Sequence, residues 1–151
     1  MIEIEGADQL ARLAKQLKEA GAKDLQKELG KAINRATKPV KDDIKQSAED
    51  MLPKRGGLAA RAAKSPLRTR RRTGSKVAGV RIVSIDKTLS MYHLNQGQVR
   101  HPRKGVPASG WKVQHIEHGF WDKGGEQAAP AAREEIVQAM DDIARKVVRG
   151  V

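Results

Sequence analysis

The strongest constraint on this chain is where its charge sits. Residues 51–116 carry fifteen Lys and Arg against a single acid, Asp86, a net +14, whereas the two flanks together carry fifteen basic and seventeen acidic residues. A basic stretch poor in large apolar side chains cannot build a core by itself, and the long apolar periodicities lie in the flanks. The expected architecture is two helical ends that supply most of the burial and a charged centre that leans on them. With 151 residues, one domain spanning 1–151 is expected, since a chain of this length buries about two-thirds of its unfolded surface in a single core.

Other compositional features narrow the class. The chain has no cysteine, which excludes a disulfide framework, a thiolate zinc site and a thiol nucleophile. The first ten residues carry acids where a secretory leader needs bases, and no apolar run approaches the roughly 18 residues of a membrane span. A soluble protein with no membrane contact is expected. The four aromatic residues, Tyr92, Trp111, Phe120 and Trp121, lie in the same part of the chain as all four histidines, His93, His101, His115 and His118.

From Asp8 onward, Leu10, Leu13, Leu17, then Leu25, Leu29, Ile33, Ala36, Val40, Ile44, Ala48 and Met51 recur every three or four positions, the spacing of an amphipathic helix. The pattern predicts a first helix capped by Asp8 and ended near Gly21. A second follows from about Lys23 to Met51, kinked at Pro39 or broken into two at Thr37-Lys38-Pro39. Leu52-Pro53 closes the helical part (1–52). Residues 53–76 read as a basic loop. Val77–Ile85 reads as a strand pairing with Thr88–Leu94 across a turn at Asp86-Lys87. Asn95–Gly110 reads as a loop rich in Gly and Pro, followed by a short strand at Trp111–Ile116, so that 77–121 forms a small antiparallel sheet with its loops. A C-terminal helix (126–149) is expected from the face shared by Ile136, Ala139, Met140, Ile143, Ala144 and Val147, with Pro130 in its first turn. The fold class is α+β. Shallow, alanine-rich helix faces give a thin core, which favours burial between copies in a homo-oligomer.

The candidate contact residues are Arg61, Lys64, Arg68, Arg70, Arg71, Arg72 and Lys76. Such a run fits nucleic-acid phosphates, bound independently of sequence, or acidic protein surfaces, or a solvated face. No aromatic interleaves it, which argues against base stacking. The string His115-Ile116-Glu117-His118 lacks the spacing of a zinc helix, and neighbouring cations oppose a divalent ion, so no metal is expected. Nucleophile-elbow, phosphate-loop and dinucleotide motifs are all missing. No enzyme activity and no cofactor are expected, the conceivable exception being a small basic ribonuclease using His101, His115 or His118 with Arg100.

One set of residues is more particular. Leu94-Asn95-Gln96-Gly97-Gln98-Val99-Arg100-His101-Pro102, then Trp111-Lys112-Val113-Gln114, then Gly119-Phe120-Trp121, resembles the pattern of siphophage head-to-tail connector or tail-completion proteins of the tailed-phage neck. Leu52-Pro53 with Gly56-Gly57-Leu58 is similar to that family's Pro-x-x-x-Gly-Leu junction, though it departs from the commoner Pro-x-x-Thr-Gly-x-Leu form. The Ala/Pro-rich start of the last helix, Ala128–Ala132, is similar too, and the likeness covers most of residues 25–148. It implies a non-enzymatic virion protein forming a ring, six-fold, between the head-closure and tail-terminator proteins, around the channel through which DNA leaves the capsid. The location implied is the virion neck, with host cytoplasm during assembly, and genomic DNA is a non-specific contact. Asn95, Gly97, Arg100, His101, Pro102, Trp111, Gln114, Gly119 and Phe120 are the motif positions, with Trp111 and Phe120 expected as anchors behind the Asn95–Pro102 loop. The alternative is a free, sequence-independent nucleic-acid-binding protein, which the basic centre alone suggests.

Overall fold

The structure is a computed structural model and describes residues 7–73, 78–102 and 111–150. The chain is α+β, as the sequence predicts. Its elements are α1 (Ala7–Glu19), α2 (Lys23–Met51), α3 (Leu58–Lys64), β1 (Leu67–Thr73), β2 (Ala78–Ser84), α4 (Met91–Asn95), β3 (Gln98–Pro102), β4 (Trp111–His115) and α5 (Phe120–Val148).

The two long helices α2 and α5 are the frame. They run antiparallel: Arg35 Nε meets Glu135 Oε1 at 2.9 Å, Lys146 pairs with Glu28, and Gly124 lies against Asp43 and Ile44. At Gly124 the two backbones touch so closely that a Cβ would stand 2.7 Å from the Asp43 carbonyl oxygen and the Ile44 Cα. Only a residue without a side chain fits there. α2 passes Pro39 without interruption, which overturns the two-helix alternative. The proline lacks the N–H that would bond the Arg35 carbonyl, and both residues lie on the exposed face, where a freed carbonyl costs little because solvent can satisfy it.

Two apolar clusters flank this frame. The first joins Leu10, Leu13 and Leu17 of α1 to Leu25, Leu29 and Ile33 of α2, Ile136, Met140 and Ile143 of α5, and Val80 of β2. The second joins Val40, Ile44 and Ala48 of α2 to Ala59 and Ala62 of α3, Met91 and Leu94 of α4, and Phe120. α1 ends as expected near Gly21, whose φ of 64° closes a Schellman turn in which Ala22 N donates to Leu17 O at 3.0 Å and Gly21 N donates to Lys18 O at 3.2 Å. Asp8 sits within the first turn of α1 rather than at the cap, where its charge still favours the helix dipole.

The centre departs from expectation in four places. The segment 53–76, expected as a loop, contains α3 and β1. Its alanines, too small to signal a core, bury Ala59, Ala62 and Ala63. Strand β2 pairs antiparallel with β1, not with 88–94. Residues 91–95 instead form α4, with Ser90 Oγ accepting from His93 N at 3.4 Å and Met91 and Leu94 buried three apart. Within the expected Asn95–Gly110 loop, Gln98–Pro102 is a strand paired with β4. Finally, α5 begins at Phe120, so Pro130 lies inside it rather than in the first turn. Among the described residues the result is two separate two-stranded sheets, β1–β2 and β3–β4.

Candidate functional site

β1 alternates. Leu67 packs on the second apolar cluster, Thr69 Oγ1 lies 2.8 Å from Thr37 Oγ1 of α2, and the Arg71 guanidinium lies over Gly30, where a Cβ would stand 3.1 Å from Nη1. Those three residues face the helices. Because successive side chains point to opposite sides, Arg68, Arg70 and Arg72 face outward, and all three are exposed.

The register extends this outward face to β2. Arg68 is opposite Val83, Arg70 opposite Arg81, and Arg72 opposite Gly79. On the inward side Val80 is buried and Ile82 packs on the second cluster, so Arg81 shares the outer face with the three β1 arginines. Among the described residues nothing lies within 4 Å of a Cβ built at Gly79. Among the described residues none of these four arginines is ion-paired. Arg70 and Arg81 are direct cross-strand partners, a like-charge arrangement that costs stability in isolation.

The other predicted basic residues are placed elsewhere. Arg61 Nη2 donates to Thr88 Oγ1 at 2.8 Å and to Thr88 O at 3.3 Å, which ties α3 to the turn after β2, and Arg71 lies over Gly30 on the side of α2 while remaining exposed. Lys64 is exposed at the end of α3, and Lys76 lies outside the described residues. The one acid of the basic centre explains the chain's course after β2. Asp86 Oδ1 accepts from Thr88 N and Thr88 Oγ1, both at 2.8 Å, and Oδ2 accepts from Ser65 Oγ at 2.8 Å. These bonds, led by the Thr88 backbone N–H, hold its carboxyl at about 2, below the ordinary 3.8. The carboxylate therefore stays charged while it fixes a turn.

Four of the motif residues converge at the start of α5. Gly119, with φ of 88°, stands at the N-cap and offers no side-chain acceptor. Asn95 replaces it: its Oδ1 accepts from Trp121 N at 2.9 Å, its Nδ2 donates to Asp122 Oδ2 at 3.0 Å, and its carbonyl accepts from Gly119 N at 2.8 Å. This is an N-cap supplied from 26 residues away in sequence. Gly97 has φ of 81°, and a Cβ on it would stand 2.8 Å from Ile116 O. That position admits only glycine, since the Gly97 carbonyl must also accept from Ile116 N at 2.9 Å. Phe120, fully buried, anchors the junction, as the sequence predicts.

The remaining motif positions lie on the β3–β4 hairpin. Arg100 is opposite Val113, His101 opposite Lys112, Val99 opposite Gln114, and Pro102 opposite Trp111. The Trp111 side chain, expected as an anchor, is outside the described part of the structure. Arg100 and Gln114 are exposed. The register puts His101 and His115 on opposite faces of the hairpin, so these two rings cannot flank one phosphate as an acid–base pair. Among the described residues no three His, Asp or Glu side chains gather as a metal would need, and no helix is long and apolar enough to cross a membrane.

Sequence reasoning missed Arg81, because membership of the arginine face depends on strand pairing. It also missed a groove of about 600 Å³ between β2, α4 and the start of α5, lined by Val83, Leu89, Tyr92 and Trp121. Tyr92 is 70 % exposed at its rim. Compared with known proteins, the chain matches no family model, no curated sequence and no solved structure.

Proposed function

We propose that this chain is a structural protein of a tailed-phage neck. It forms a homo-oligomeric ring, a hexamer, that joins the head-closure layer to the tail terminator around the DNA exit channel. Its partners are copies of itself, the head-closure and tail-terminator proteins, and, without sequence preference, the genomic DNA. It works in the virion after assembly in host cytoplasm, with no cofactor and no catalytic step.

The observation that carries this reading is the junction of Asn95, Gly97, Gly119 and Phe120. These are residues through which the chain resembles the neck family, and together they form a built mount for the β3–β4 hairpin. The hairpin is exposed on one face, with Gln98, Arg100, Val113 and His115 open to solvent, and only half-covered on the other. A lone two-stranded hairpin is marginal in water. A mount this specific for an element so little buried suits one that completes its packing on a neighbouring subunit. Head-to-tail contacts of that kind close into a ring when the rotation between subunits closes.

The test is made on particles. The protein is expected as a stoichiometric component of purified virions, and deletion of its gene is expected to give filled heads separated from tails. Virions that lack the protein, or a deletion that leaves joined particles, would overturn the reading.

A further inference from the structure

We infer that the outer face of β1–β2 is a binding surface for the phosphate backbone of duplex DNA, made by Arg68, Arg70, Arg72 and Arg81. This gives the DNA contact of the neck reading a place and a chemistry, and it rests on that reading only for its biological setting.

Three features select the ligand. The first is spacing. Along a strand, alternate residues recur every ~6.7 Å, so Arg68, Arg70 and Arg72 form a row of guanidiniums about 13 Å long. A phosphodiester chain offers one charge per ~3.4 Å of axis per strand, and such a row can meet several phosphates at once. The second is the absence of ion pairing: among the described residues none of the four guanidiniums pairs with a carboxylate. Asp86 and Asp122 line the groove beside Arg81, but their hydrogen bonds go to Thr88 and Ser65 and to Asn95, which leaves the guanidinium donors open to an anion. Arg70 and Arg81, directly opposed, repel each other until an anion lies between or over them, and a guanidinium fork grips phosphate with two hydrogen bonds.

The third feature is what the face lacks. Apart from the arginines it presents Val83 and Gly79. The strand pair itself carries no Asn, Gln or aromatic side chain on this face to read base edges or to stack on unpaired bases; Tyr92, Asn95, Gln96 and Trp121 stand off the strands, in the groove beyond Arg81 and Val83. Contact is therefore with the backbone and independent of sequence. The face is anchored from behind by Val80, Ile82 and the Thr69–Thr37 contact. The arginines are thus presented by a packed strand pair, and little chain ordering is needed when DNA binds.

The experiment measures binding of the full chain to a mixed-sequence DNA duplex by fluorescence anisotropy. Four phosphate contacts predict a slope of log K against log salt of about −3.6, so affinity falls by about 100-fold between ~50 and ~200 mM salt. Each single change, Arg68→Ala, Arg70→Ala, Arg72→Ala or Arg81→Ala, is expected to weaken binding by about 5- to 10-fold and to reduce the slope by about one. The quadruple variant is expected to lose measurable binding at about 150 mM salt while keeping its circular dichroism. A charge-matched control, Lys18→Ala, Lys123→Ala, Arg145→Ala and Arg149→Ala together, is expected to retain at least half of the wild-type affinity.

Equal loss in both quadruple variants would mean diffuse attraction and would overturn the assignment, as would unchanged binding in the first. Tighter binding to polyglutamate than to duplex of equal charge would assign the face to an acidic protein instead. A fold-disrupting quadruple variant leaves the four single variants and their slopes to decide. None of these outcomes bears on presence in virions. A neck protein that fails them loses only this surface, and a DNA-binding chain missing from virions loses only the neck reading.

Discussion

The two hairpins of this protein are built from similar short strands and use them in opposite ways. β1–β2 is packed on one side: Leu67, Thr69, Val80 and Ile82 face α2 and the apolar clusters, and this backing tolerates four arginines on the other side. β3–β4 has less such backing. Among the described side chains Val99 and the adjoining Ile116 reach the apolar cluster, and the hairpin is held at its base by Asn95, Gly97 and Gly119. One hairpin is therefore stabilised along its length and the other at its root. The sign of the charge does not separate them, since both are basic. What separates them is whether the inward alternate residues meet a helix.

This contrast fails most visibly if the root is broken. Replacing Gly97 by Ala puts a Cβ at φ of 81° and 2.8 Å from Ile116 O. The strained backbone and the displaced carbonyl together are expected to cost about 2 to 3 kcal/mol. Hydrogen exchange locates the damage: protection should fall across β3, β4 and the first turn of α5, while β1–β2 amides keep theirs. A loss spread evenly over both hairpins would mean that the two are one cooperative unit, and the distinction drawn above would go.

A smaller effect is expected at Asn95. In Asn95→Ala the Trp121 N–H loses its acceptor and Asp122 loses its donor, at a cost of about 1 kcal/mol, read from urea denaturation. Because Asn95 caps α5 as well as rooting the hairpin, exchange should rise at Trp121 and Lys123 before it rises in β4. Exchange rising first at the far end of the hairpin would show that the root is held by something other than this cap.

These sites also show which parts of the fold were legible in the sequence. α1, the extent of α2 and the later part of α5 were, because Leu and Ile recur at helical spacing and Gly21 and Leu52-Pro53 punctuate them; the first turns of α5, from Phe120, and the continuity of α2 through Pro39 were not. α3 and β1 were not. In α3 the buried residues are alanines, and in β1 the inward positions are Leu67, Thr69 and Arg71, so a period of two is hidden by arginine on both faces. The candidate basic residues were found as a run, but a run does not distinguish Arg71, laid over Gly30, from Arg70, which faces solvent. Arg81 joins the face only through its register with Arg70. Asn95 was visible as a motif residue and not as a cap, because caps are sought next to the helix they serve. The uncapped start at Gly119 was no signal either, because the apolar stripe places the start of the helix near 126 and the structure places it at Phe120.

The finest test of the comparison is Arg70→Thr. On β1–β2 the substitution removes a directly opposed like charge and supplies a residue that favours strands, so stability should rise by about 0.5 kcal/mol in dilute buffer. The gain should shrink as salt approaches about 1 M, where screening acts over about 3 Å. The same substitution at Arg100, whose partner is Val113, relieves no direct repulsion, so Arg100→Thr should show no salt-dependent gain. Thermal melts of both variants at low and high salt measure the difference. Equal gains would show that the whole basic centre repels itself diffusely. A gain confined to Arg70→Thr would instead mark a strand pair that gives up stability to keep two arginines side by side, which a purely structural face has no reason to do.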